Sequence, residues 1–197
     1  MTGTFDAGRL AHVNAVTVQQ MTTWNSNDMA ILGPDGETVA TVVTRGGGLS
    51  RMLMGSREFD VVDGEDGRVL FHLQDPATFG RDRFQVFDAQ GYPLANVARE
   101  FAFFRTAVSV EVVDGTRFSV TGDLFDYDYT FAAGERQIAR VTAEFAGFLN
   151  ALAGRSRYQL TVDPAMPSVV RCAVLGTAIA LDPVSYTHLT LPTTPYV

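Results

Sequence analysis

The sequence predicts a mainly β fold: a closed antiparallel β-barrel of eleven or twelve strands enclosing one C-terminal apolar α-helix. Three observations lead there. Short segments alternate apolar and polar residues with a period of two. Turn pairs rich in Asp and Gly separate them. From Ser168 to Leu181 the alternation gives way to a run that is apolar on nearly every side. A period of two puts one face of a strand toward a core and the other toward water. Asp and Gly between such runs supply the backbone conformations of tight hairpins.

Taken in order, Val16 to Gln20 reads as the first strand, and Phe84 to Asp88 as a strand running into a turn at Gln90-Gly91. Pro34-Asp35-Gly36, Asp63-Gly64, Asp66-Gly67 and Asp114-Gly115 are further turns between apolar runs. The pattern is clearest in the second half. Val108, Val110 and Val112 share a face, as do Phe118 and Val120, then Ala139, Val141, Ala143 and Phe145, then Tyr158, Leu160 and Val162. So many strands exceed what an open twisted sheet carries without curling, and closure removes exposed edges. No linker or composition shift divides residues 1–182, and the hairpins share no sequence repeat.

The helix is expected over Ser168–Leu181, about 21 Å long at about 1.5 Å per residue. That matches a six-residue strand and falls short of a bilayer. A helix apolar all round must be surrounded, so Val169, Val170, Ala173, Val174, Leu175, Ala178, Ile179 and Leu181 are assigned to the core. Asp163 or Ser168 is placed at its N-cap, with Pro164 and Pro167 in the first turn. Arg171 is the exception on that surface. A buried charge needs partners, so it is expected at the barrel mouth beside a carboxylate or carbonyls. Cys172 reads as an inert small apolar residue.

Val184 to Thr193 (VSYTHLTLPT) resembles the translation of a transposase-type sequencing adapter. Residues 183–197 are therefore expected to be foreign to the domain, and Tyr186 and His188 receive no functional weight.

Composition narrows the chemistry. The net charge is −7 over 197 residues, which is unsuited to non-specific binding of nucleic acid. All 15 basic residues are arginine, a bias that fits GC-rich coding DNA and leaves no lysine for a Schiff base or a phosphate-binding loop. One cysteine permits neither an intrachain disulfide nor a cysteine metal cluster. No signal-peptide pattern opens the chain, so a cytoplasmic protein is expected.

Tyr158 to Asp163 (YQLTVD), followed by Met166, Val169, Ala173, Leu175, Ala178, Ile179 and Asp182, resembles the phospholipid scramblase and LURP-one-related families, which share the Tubby-type C-terminal fold. Phe84 to Gly91, Gly122-Asp123 leading into Tyr127 to Phe131, and the opening Val16 to Gln20 extend the resemblance over residues 13–182. It implies twelve strands around a hydrophobic helix with an aspartate near its end, and an association with membrane lipids or plant defence. The acidic calcium segment of scramblases is here Ala153 to Arg157 (AGRSR), two arginines and no carboxylate. The palmitoylated cysteine cluster and proline-rich tail are absent as well, so calcium control and lipid anchoring are not carried over.

Two stretches invite a functional reading. Asp123, Asp126 and Asp128 form the densest acidic group, with Asp126 and Asp128 expected on one strand face. They lack the glycine-containing loop of a calcium site, and a solvated strand face is the simpler reading. Between Arg45 and Arg57, the residues Arg45, Leu49, Arg51, Met52, Leu53, Met54 and Arg57 combine apolar and basic side chains without one acid. Such a segment suits an anionic lipid surface; the alternative is a loop that tucks its Leu and Met side chains under the barrel end. His12 and His72 are the remaining histidines, and no nucleophile elbow, paired-ligand spacing or acid–base constellation is present. The expected function is non-enzymatic, without cofactor: a peripheral barrel binding anionic membrane phospholipid at the inner face of the plasma membrane. The alternatives are lipid scrambling and a soluble protein-interaction or stress-response module.

Overall fold

In the computed structural model, residues 5–21, 28–45, 57–75, 82–102, 105–124, 126–144 and 157–182 are described. A 3-10 turn over Gly8–Ala11 leads into twelve strands. These are β1 (Ala15–Gln20), β2 (Met29–Leu32), β3 (Thr38–Thr44), β4 (Arg57–Asp63), β5 (Val69–Asp75) and β6 (Asp82–Asp88). Then follow β7 (Pro93–Ala102), β8 (Arg105–Val112), β9 (Arg117–Asp123), β10 (Asp128–Ala133), β11 (Arg136–Ala143) and β12 (Arg157–Val162). The helix α1 spans Ser168–Ala180. Each strand pairs antiparallel with its sequence neighbours, and β1 pairs with β12, Ala15 opposite Thr161, to close the barrel. The predicted architecture is the observed one.

The alternation decides which side chains face inward. Val108, Val110, Val112, Phe118, Val120, Val141, Tyr158 and Leu160 are all buried, as the period of two requires. Ala143 is exposed where β11 ends, against the expectation, and Phe145 lies outside the described residues. Helix α1 fills the interior. Val170 to Ala180 is buried without a break, and Leu181, expected inside the helix, is its buried C-cap. The helix packs against β5 to β8. Gly176 permits that approach: a Cβ there would meet Leu73 Cδ2 at 2.8 Å and Val86 Cγ2 at 3.1 Å. Three of the largest fully buried side chains, Tyr129, Phe131 and Tyr158, come from β10 and β12.

Alternating strand directions give the barrel two unlike ends. Five tight hairpins, β2–β3, β4–β5, β6–β7, β8–β9 and β10–β11, turn at one end, where the 3-10 turn and the β12–α1 link also sit. Gly36, Gly67, Gly91 and Gly115 adopt positive φ there, as the turn pairs predicted. Gly64 does not; it is required because a Cβ would stand 2.2 Å from the Thr38 carbonyl oxygen. The other connections leave from the opposite end, called here the loop end, and most of their residues lie outside the described set.

Four of the five hairpins carry one extra residue on their second strand. Val39, Leu70, Leu94 and Ile138 each fall between register positions, and each is buried together with the residue that follows it. A bulge adds local bend and twist, and here it turns two successive side chains into the core near the hairpin end. Two of the bulge carbonyls hold the next hairpin, and a third holds the β12–α1 link. Val39 O accepts from Gly64 N at 2.9 Å, Leu94 O from Val113 N at 2.8 Å and Ile138 O from Asp163 N at 2.8 Å.

Candidate functional site

Arg171 lies in the second turn of α1, 7% exposed, beneath the hairpin end. Its Nε donates to Met166 O at 2.9 Å and its Nη1 to Val13 O at 3.0 Å. Its Nη2 reaches Asn14 Oδ1 at 2.8 Å, Pro164 O at 3.0 Å and Asp163 O at 3.3 Å. The expected barrel-mouth position holds, with carbonyls as partners. The guanidinium thereby ties the helix to the chain entering β1 and to the β12–α1 link. Neither proposed cap acts as one. Pro167 occupies the N-cap without a side-chain bond, and the Asp163 carboxylate instead accepts from Ala165 N at 2.9 Å and from Arg136 Nε at 3.1 Å. The Ala165 N–H, then Arg136, hold Asp163 below the usual carboxylate range.

At the loop end the helix finishes in a polar cluster that sequence reasoning missed. Asp182 is 1% exposed and accepts from the Tyr127 hydroxyl at 2.9 Å. Tyr127 stacks on Tyr158 with ring centroids 4.9 Å apart. Tyr129 and Tyr158 bury their hydroxyls without a hydrogen-bond partner. Burial, and then the Asp182 charge, push both phenols far above the ordinary tyrosine range. These tyrosines stay neutral and serve as core. The signal was available as Asp182 closing an apolar helix, but its partner lies 55 residues earlier.

The arginine-rich stretch leaves the barrel at this same end, between β3 and β4. Leu49, Arg51, Met52, Leu53 and Met54 lie outside the described residues, and so does the side chain of Arg57, whose backbone begins β4. Arg45 continues the ladder by donating its N–H to Glu58 O at 2.8 Å, and its Nε pairs with Asp60 Oδ2. The other oxygen of Asp60 meets His72 Nδ1 at 2.6 Å. Asp60 and His72 face outward yet are only 14% exposed. Arg45 is thus committed within the fold, a pairing invisible in a stretch that itself contains no acid.

The acidic group does not share one strand face. Tyr127 takes a positive φ of 51°, which leaves Asp126 in the turn before β10. Asp123 Oδ1 accepts from Asp126 N at 3.1 Å, and Asp128 pairs with Arg140 at 2.8 Å. Among the described residues no group of three or more His, Cys, Asp or Glu side chains is placed to hold a metal ion. Cys172 is fully enclosed, and burial pushes its thiol up, so thiolate chemistry is suppressed. A groove of about 430 Å³ on the outer wall is lined by Asn96, Ala98, Ser109 and Ser119 and edged by the Arg117–Glu111 pair. It contains no nucleophile–base arrangement. No helix among the described residues is long and apolar enough to cross a membrane.

The family model for LURP-one-related proteins matches residues 13–182. A crystal structure of a protein from Arabidopsis thaliana superimposes with a TM-score of 0.58 at 16% identity, covering 92% of this chain and 99% of that one. No curated protein matches the chain.

Proposed function

This chain belongs to the LURP-one-related family, and from that premise we propose that it is a non-catalytic barrel that binds anionic phospholipid at a membrane surface through its loop end. The observation that carries the reading is the division between the two ends. Short turns, the Arg171 anchor and the β12–α1 link occupy one end. The stretch combining arginines with Leu and Met side chains, and lacking acids, is rooted at the other. Apolar side chains entering an interface and arginines meeting phosphates form a recognised mode of peripheral attachment. The Asp60 pairing makes Arg45 the root of that stretch, so contact falls to Arg51, Arg57, Leu49, Met52 and Leu53. A peripheral position at the inner face of the plasma membrane follows from this reading.

Support for lipid scrambling is weaker. Its 13-residue apolar helix is enclosed by the barrel wall and is not presented to a bilayer.

The test is co-sedimentation of the full chain with neutral and with anionic vesicles. Each basic contact at an anionic surface contributes about 1 kcal/mol, so changing Arg51 and Arg57 together to Ala should weaken anionic binding about 30-fold. Changing Arg45 alone to Ala should weaken it only about fivefold, through the loss of one unit of positive charge at the root of the stretch. Wild-type binding to neither vesicle would defeat the proposal and direct attention to a protein partner.

A further inference from the structure

The Asp60 carboxylate is shared between two unlike cationic groups at the root of the membrane-facing stretch. Oδ2 takes Arg45 Nε and Oδ1 takes His72 Nδ1. The register explains the meeting: Asp60 stands opposite Val43 on β3 and His72 on β5, all with outward side chains. Arg45, opposite Glu58, reaches diagonally across to it. Protonation of His72 adds a full unit of positive charge at this root.

Among the described residues, the charges facing His72 are few. From β4 come Asp60 and, one row along, the half-buried Glu58; from the end of β3 comes Arg45. From β6 the neighbours are Phe87 and Gln85, both uncharged, with the exposed Arg83 farther along that strand. On β5 itself the next outward residue is Gln74. With neutral His72, Arg45 faces Asp60 and Glu58 and the group carries one net negative charge, which opposes an anionic surface. Adding one proton brings the group to zero.

We infer that membrane affinity is proton-coupled through His72: the protein binds anionic phospholipid more tightly when this histidine is charged. The inference rests on the membrane reading above and adds its regulation. Histidine is the side chain that changes charge between about pH 5 and 8. One unit of positive charge near an anionic surface corresponds to about a fivefold gain in affinity. Coupling is reciprocal, so binding to the anionic surface takes up protons in turn. His12, the other described histidine, lies at the hairpin end and is not placed to contribute.

The experiment uses the full chain and vesicles of phosphatidylcholine, with or without phosphatidylserine, at about pH 6 and about pH 8 and constant salt, for wild type and His72→Gln. Wild type should bind anionic vesicles about fivefold more tightly at the lower pH, and the variant equally at both. In case the variant folds poorly, the second measurement uses wild type alone. Binding of the wild type to anionic vesicles should take up protons from the buffer, read from binding heats in buffers of different ionisation enthalpy. Wild-type binding without pH dependence, a pH dependence that survives in a folded His72→Gln protein, or binding without proton uptake overturns the coupling and leaves the membrane reading standing. No binding at either pH overturns both.

Discussion

Replacing Arg171 with Met separates the threaded-helix account from a simple apolar plug. Met keeps the length and the apolar stem but removes every donor. Five acceptors lose a partner: the carbonyls of Val13, Asp163, Pro164 and Met166, and the side chain of Asn14. Removing one side of a buried charged arrangement typically costs about 3–5 kcal/mol. Here Asn14 and Pro164 border solvent, and water can replace part of what they lose, so about 2–4 kcal/mol is expected. With a urea dependence of about 2 kcal/mol per molar, the unfolding midpoint should fall by about 1–2 M. Lys at this position should recover only part of the loss, because a point-like ammonium cannot span the same fork of acceptors. Equilibrium urea unfolding followed by far-UV circular dichroism is the assay. A Met variant whose midpoint moves by less than about 0.3 M would refute the reasoning. The five bonds would then only offset the cost of burying the charge.

Two further outcomes follow from the geometry. Gly176→Val should lower stability by at least about 2 kcal/mol in thermal unfolding: the first added carbon already collides with Leu73 and Val86, and overpacking outweighs the few tenths of a kcal/mol gained in helix propensity. Asp163→Asn keeps the turn bond to Ala165 but loses the charge facing Arg136. Because the folded carboxylate lies below its usual range, its contribution is present at neutral pH, declines below the unfolded value of about 3.9 and vanishes under the folded value. Urea midpoints at about pH 7 and about pH 3 should therefore differ less in the variant than in wild type.

The barrel was legible because two local signals agreed: turn chemistry at Gly36, Gly67, Gly91 and Gly115, and a period of two between the turns. The bulges were not legible. Val39-Ala40, Leu70-Phe71, Leu94-Ala95 and Ile138-Ala139 are adjacent buried pairs, which a strict alternation counts as interruptions. Arg171 could be placed from physics alone, since a charge on an enclosed helix has few options. Asp126 was misplaced because nothing in the residue type announces a positive φ at Tyr127. The Asp182–Tyr127 and Arg45–Asp60–His72 contacts join residues from different strands and loops. They emerge only once register is known, because each partner alone reads as ordinary surface or core.

The order of elements along the chain has a consequence for biosynthesis. The strand that seals the barrel, β12, pairs with β1, the first strand, and the helix that fills it is made after β12. During translation the first eleven strands emerge before either their seam partner or their filling exists. A nascent chain halted before Ser168 would lack the centre of the core rather than an end of it. Long-range closure is intrinsically slow, and the inward faces of Val61, Leu73, Val86 and Val97, all buried in the finished barrel, would remain open to wrong partners until β12 and α1 arrive. For this topology, the interval between synthesis of β11 and release of α1 is when a holdase-type chaperone would matter most.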